Sequence, residues 1–179
     1  MANPGQIIAV WNGGLASHGA AIGTIIAYLL FLWRYKIKPF AYADIIAIAA
    51  TIPVSLIRLG NFFNSEIVGR PTDAPWAVKF LRVDEIPRHP SQIYEFLMGF
   101  LILAILYPLW LRKNKNAKPG FFIGLFFVLY FSLRFLVEFF KEYPLHENFF
   151  NLTSGQILSL PFILLGAAIL FHSRQRHDN

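Results

Sequence analysis

The sequence predicts an all-α protein, a polytopic transmembrane helix bundle of about five spans with a polar segment or arm on its outer side. Three observations carry that prediction. Hydrophobic residues make up 56% of the 179 residues, charged residues only 15%, and mean hydropathy is +0.50. A soluble domain of this length usually has about a quarter of its residues charged, so this chain lacks the polar surface such a domain needs. Five apolar stretches approach the length of a membrane span, and the basic residues crowd into alternate connections between them.

The spans are expected at about 19–33, 42–57, 93–111, 120–140 and 156–171. A hydrocarbon core about 30 Å thick needs roughly 20 mostly apolar residues in a helix, so the first two are expected to continue into the interface. The third has a start signal: Pro87 and Pro90 precede it, and Ser91 is a good helix cap. Thr153 and Gln156 have the spacing of a capping box that opens the fifth. The first residues carry no basic region of the kind that begins a signal peptide. All of 1–179 reads as a single transmembrane domain, with the outer polar segment at 58–92.

Orientation follows from Lys and Arg in the connections. Arg34, Lys36 and Lys38, then Arg112, Lys113, Lys115 and Lys118, then Arg174 and Arg176 all fall on one side of a five-span chain. Asp178 is the only acid among them. That side is expected to be cytoplasmic, with the C-terminus there and the N-terminus outside. The net charge of +6 on so apolar a chain favours an anionic membrane or lipid as partner over nucleic acid. No cysteine is present, which excludes disulfides, thiolate metal sites and a cysteine nucleophile of the chain's own.

Ionisable groups inside a bilayer are expensive, so their positions carry information. Arg134 lies within the fourth stretch, roughly 21 Å from its cytoplasmic start at about 1.5 Å per residue. Tyr130, Arg134 and Glu138 share a helix face; an internal Arg134–Glu138 ion pair and a snorkelling Arg134 are the plainer readings. Phe131, Phe135 and Phe139 form a separate stripe for lipid or helix contact. Arg58 and Asn61 would lie on one helix face. Glu66 and Arg70 have the spacing of a surface pair, and Gly60 and Gly69 permit close backbone approach. Trp76, Val78 and Phe80 alternate, as in a short strand or extended arm at the interface. His18, Arg58, Asn61, Glu66, Arg70, Arg88, His89 and Arg134 are thereby expected at one depth, near the outer leaflet. Clustered guanidinium groups in low dielectric suit a phosphate, so an anionic phospholipid headgroup is the expected ligand.

Five pieces of the chain carry a family likeness. They are GGLASHGAAIG (13–23), RLGNFFNSEIVGR (58–70), RHPSQIYE (88–95), YFSLRFLVEFFKE (130–142) and SGQILSLP (154–161). At these residues the chain resembles the prolipoprotein diacylglyceryl transferases, and the pieces occur in family order. The resemblance implies a multi-pass enzyme of the bacterial inner membrane. It would move the diacylglyceryl group of phosphatidylglycerol to the lipobox cysteine thiol of a preprolipoprotein, forming a thioether and releasing glycerol phosphate, with no cofactor and no metal. The absent cysteine agrees, since the substrate brings the nucleophile.

By the same resemblance Arg58 and Arg134 are the essential arginines. His18, Asn61, Glu66, Gly69, Tyr130 and Glu138 match further functional positions, with Arg70 beside them. Arg88, His89 and Ser91 match a supporting RHPS motif. His18 is one candidate for the base that activates the thiol, and activation by the arginine field is the competing account. The family has about seven spans, so the likeness is to a member shortened at its N-terminus. Ile57 and Ala20 stand where the family usually has glycine. The reading from a different class is a non-catalytic membrane protein that binds or transports anionic phospholipid through the same arginines.

Overall fold

The computed structural model describes residues 17–40, 42–113, 117–142 and 152–175. The chain divides into two compact units, Met1–Ala41 and Tyr42–Asn179. In the first, helix α1 (Ser17–Tyr35) ends as Lys36 enters the left-handed region at φ 53°. The Tyr28 hydroxyl donates to the carbonyl of Pro39 at 2.6 Å, which holds the turn against the helix.

The second unit is a bundle of four helices, α2 (Ala43–Phe63), α3 (Ser91–Lys113), α4 (Phe121–Val137, extended by a 3-10 turn at Glu138–Phe140) and α5 (Ser154–Gln175). All four are long and apolar enough to cross a membrane. The apolar part of α1, Gly23–Tyr35, is shorter than a span. The fold is a polytopic membrane helix bundle. Its core is formed by Ala47 and Ile48 of α2, Met98, Ile102 and Leu106 of α3, and Phe122 and Phe126 of α4. Outward faces remain apolar and exposed, as at Leu97, Leu101, Leu158 and Leu164, which suits contact with acyl chains.

Small residues let the helices approach. Gly99 of α3 packs on Ser55 of α2, and Gly124 of α4 faces Gly166 of α5. A Cβ on Gly166 would sit 2.9 Å from the carbonyl oxygen of Gly124. Pro53, Pro108 and Pro161 lie within helices, which bundles in lipid tolerate because neighbouring groups satisfy the freed backbone.

The largest departure from the expected elements is at α2. It continues six residues beyond the expected end at 57, so Arg58 and Asn61 stand on its last turns and not in an outer segment. The polarity of RLGNFF placed the end of the span before Arg58, but the packed bundle gives Arg58 and Asn61 partners and the helix runs on. The remaining outer segment forms a small arm. Strand β1 (Val78–Lys79) pairs antiparallel with β2 (Pro87–Arg88), with Val78 opposite Arg88. Isolated bridges join Gly69 to Lys141 and Pro71 to Arg88.

Candidate functional site

The last turns of α2 and α4 and the first turns of α3 and α5 gather at one end of the four-helix unit. Glu95, one turn into α3, is the point where they meet, with its side chain 2% exposed. Its Oε2 lies 3.2 Å from Nε of Arg58 on α2. Its Oε1 lies 3.4 Å from a terminal nitrogen of Arg134 on α4 and 2.8 Å from Nζ of Lys141. The Arg58 contact is an ion pair without the alignment of a hydrogen bond. Lys141 is also 3.1 Å from Oε2 of Glu138, whose Oε1 accepts from the Thr153 hydroxyl at the start of α5. Among the described residues, Arg58, Arg134 and Lys141 against Glu95 and Glu138 give this five-residue cluster one formal positive charge.

A second layer surrounds it. Asn61 reaches back to Arg58 through Oδ1 at 3.5 Å and donates from Nδ2 to Glu66 at 2.5 Å. Gln92 donates from Nε2 to the carbonyl of Glu66 at 2.6 Å. Ser65 and Ile67 flank Glu66 with φ of 58° and 53°, a conformation costly for a β-branched residue at about 1–3 kcal/mol. The Ser91 hydroxyl, donating to the carbonyl of Ile67 at 3.0 Å, helps to hold that shape. Arg70 donates from Nε to the backbone carbonyl of Lys141 at 3.0 Å.

Gly69 is the tightest point of the arm. Its N–H donates to the carbonyl of His89 at 3.1 Å. A Cβ there would run into that carbonyl and come within 2.7 Å of the Phe140 carbonyl. Arg88 clasps the arm from within: Nε donates to Asp84 at 3.1 Å, and the terminal nitrogens reach the carbonyl of Gly69 and the carboxylate of Glu142. Hydrogen bonding to Arg88 holds the Asp84 carboxyl below its usual range, and the same contact keeps Arg88 more firmly protonated. His89 pairs through Nδ1 with the Tyr94 hydroxyl at 3.0 Å, and that hydroxyl accepts from Nε1 of Trp76 at 2.8 Å.

Of the residues expected at the site, Arg58, Asn61, Glu66, Gly69, Arg70, Arg88, His89, Ser91, Arg134 and Glu138 all fall within this connected region. Three local expectations are corrected. Glu66 and Arg70 lie on non-helical backbone, and each has a different partner from the other. Ser91 spends its hydroxyl on Ile67 and does not cap α3. Arg134 reaches Glu95 and Glu138 reaches Lys141, so these two are not each other's ion pair in this arrangement. Tyr130 stacks on Phe126 at 5.4 Å, one turn further into the apolar core. The His18 side chain lies outside the described residues, as does His146.

The capping box at the start of α5 forms as its spacing predicts. The N–H of Thr153 donates to Gln156 Oε1 at 3.0 Å, and the N–H of Gln156 donates to Thr153 Oγ1 at 3.2 Å. Arg58 and Asn61 share a face of α2, and Val78 stands in a short strand, as their spacing predicts. Glu95, Lys141 and Gln92 were not expected at the site. A carboxylate just inside the third apolar stretch was the available signal for Glu95.

Residues 1–172 match the prolipoprotein diacylglyceryl transferase family. The chain belongs to that family. It is 43% identical over 175 residues to the phosphatidylglycerol–prolipoprotein diacylglyceryl transferase of Tolumonas auensis, covering 97% of this chain and 67% of that relative. The enzyme of the same name from Azospirillum brasilense is 39% identical over 179 residues, again covering 97% and 67%. That from Bacteroides fragilis is 42% identical over 159 residues, covering 88% and 57%. The chain thus spans about two thirds or less of the length of these curated relatives. As a member of this family it is of a transferase and membrane-protein type, in keeping with its four membrane-length helices.

Proposed function

We propose that this chain transfers the diacylglyceryl group of phosphatidylglycerol to the lipobox cysteine thiol of a preprolipoprotein, the first step of bacterial lipoprotein maturation. The observation that carries the proposal is that Arg58 and Arg134, far apart in the sequence, approach opposite oxygens of one buried carboxylate, Glu95. Guanidinium groups pair well with phosphate oxygens and stay charged. The one formal positive charge left over in the cluster complements the single negative charge of a phosphodiester.

The chemistry follows from that placement. The thiol sulfur attacks the glyceryl carbon that bears the phosphate ester. A C–S bond forms, the C–O bond breaks, and its electron pair leaves on glycerol phosphate. The thiol proton is passed to a base and ultimately to solvent or the released phosphate. Negative charge grows on the leaving phosphate, where Arg58, Arg134 and Lys141 are already fixed to meet it. A free thiol has a pKa near 8.5, so the same positive field favours its thiolate, and His18 is the candidate base. Asn61, Glu66, Gly69, Arg70 and Glu138 form the headgroup-binding rim, and Tyr130 orients lipid oxygens beside the arginines. Arg88, His89 and Ser91 organise the arm.

The chain is read as one transmembrane domain in the bacterial inner membrane, with the arginine end periplasmic. Arg112, Lys113 and Lys118 lie at the opposite end of the bundle, as the positive-inside rule requires of the cytoplasmic face. Because the chain has no cysteine, single substitutions can report its sidedness. Arg82→Cys is expected to react with an impermeant thiol reagent in intact cells and Lys113→Cys is not.

The activity test is incubation with phosphatidylglycerol and a lipobox peptide, followed by mass spectrometry of the peptide. A diacylglyceryl mass gain on the cysteine is expected, and its loss in Arg58→Ala and Arg134→Ala. Binding of phosphatidylglycerol with no gain on the peptide would replace the transferase reading with a lipid-binding one.

A further inference from the structure

Glu95 contacts both arginines and Lys141, yet it has no evident chemical step of its own. It is an acidic group placed where an anionic substrate is to bind. Taken alone, it should repel that substrate. Its burial carries a desolvation cost that its three cationic neighbours offset. A neutral side chain of the same shape would leave the cluster more attractive to a phosphate.

We infer that Glu95 is a positioning residue for the transfer, which sets the spacing of Arg58 and Arg134 and limits the positive charge they present to the phosphate. This rests on the phosphatidylglycerol reading. The two roles follow from one carboxylate. Its oxygens hold one guanidinium each, so the pair is fixed before substrate arrives, the condition under which donors stabilise a transition state without reorganising. Its charge leaves the five-residue cluster at one formal positive charge. That matches the phosphodiester, which carries one negative charge. It undershoots the released phosphate monoester, which is close to doubly charged at neutral pH. Substrate is therefore held, while product is not held so tightly that it blocks the next turnover.

Glu95→Gln keeps the shape and removes the charge. The arginines lose their fixed spacing, while the cluster becomes more positive. The expected result is a kcat at least tenfold lower, a KM for phosphatidylglycerol that is unchanged or lower, and inhibition by glycerol phosphate at least threefold stronger. Two further variants separate charge from spacing. Glu95→Asp keeps the charge on a shorter stem, so product inhibition stays near that of the unaltered protein while kcat remains depressed. Glu95→Gln combined with Lys141→Met returns the cluster to one formal positive charge, so product inhibition falls back while kcat stays low.

A merely structural role for Glu95 would lower the fraction of active protein and leave KM and product inhibition untouched in every variant. That result overturns the inference, as does unaltered turnover in Glu95→Gln. If the unaltered chain makes no thioether, the transferase reading fails instead. Equilibrium binding of glycerol phosphate to the same variants in lipid nanodiscs then decides the charge role: tighter binding by Glu95→Gln supports it, and equal binding refutes it.

Discussion

Lys141 and Glu95 meet at 2.8 Å with their side chains 1% and 2% exposed, a full-charge ion pair withdrawn from solvent at the end of a membrane bundle. The same ammonium lies 3.1 Å from Glu138. Removing it strands carboxylates in a low-dielectric site, which typically costs about 3–5 kcal/mol. Glu95 would still have Arg58 and Arg134 nearby, so the burden falls mainly on Glu138. Lys141→Met is therefore expected to lower the thermal unfolding temperature in detergent sharply. Adding Glu138→Gln to it should recover much of the loss, because the stranded charge is then gone. Losses that simply add in the double variant would show that Lys141 and Glu138 are not coupled.

Gly69 has no room for a side chain between His89 and Phe140. Gly69→Ala must push the arm away from the 3-10 turn that carries Lys141, at a cost of about 1–3 kcal/mol for overpacking. The arm should become a site of rapid proteolysis, with cleavage concentrated in 70–90. Phosphatidylglycerol affinity should fall with it, since Arg70 is the next residue and is tied to the Lys141 carbonyl. An arm as protease-resistant as before would show that the backbone yields at this point without harm.

How much of this was legible from the sequence depends on the range of the interaction. The Thr153–Gln156 box, the shared helix face of Arg58 and Asn61 and the alternation at Val78 are set within a few residues, and local rules find them. The same rules misled where tertiary partners outbid neighbours. Arg134 and Glu138 have suitable spacing for each other, but α3 brings Glu95 to the arginine, and Glu138 pairs with a different local neighbour, Lys141, three residues on. Glu95 sits two residues inside the third apolar stretch, where a carboxylate reads as interfacial. Its meaning comes from three other segments, and no spacing within α3 encodes them.

The Asp84–Arg88 clasp predicts a pH response of known sign. Asp84 is held below its ordinary value near 3.8 by the hydrogen bond from Arg88, so the folded arm favours the ionised carboxylate. The contribution is fully present above that ordinary range and is lost as pH falls through the lowered folded value. Proteolysis of the arm by an acid-active protease should therefore accelerate as pH drops below about 4. Asp84→Asn should show weaker protection at neutral pH and a smaller acid step. An identical acid step in that variant would assign the response to a group other than Asp84.

At the other end of the bundle the Asp44 carboxylate accepts from the N–H of Gly120 at 2.9 Å and from the N–H of Ile123 at 2.8 Å. Those are among the first backbone donors of α4, which have no partners within their own helix. Gly120, at φ 96°, has no side chain to cap them, so a residue from the start of α2 does so. The contact fixes where α4 begins relative to α2, and through α4 it bears on the depth at which Arg134 emerges. Asp44→Ala is expected to cost about 1–2 kcal/mol, the usual loss for a cap, with a lower unfolding temperature. Asp44→Asn keeps one good acceptor and should lose less. Both should retain phosphatidylglycerol binding well below their unfolding temperatures, because the headgroup contacts lie at the opposite end. A variant that stays fully folded but no longer binds lipid would show that the start of α4 is coupled to the arginine cluster along the length of the helix.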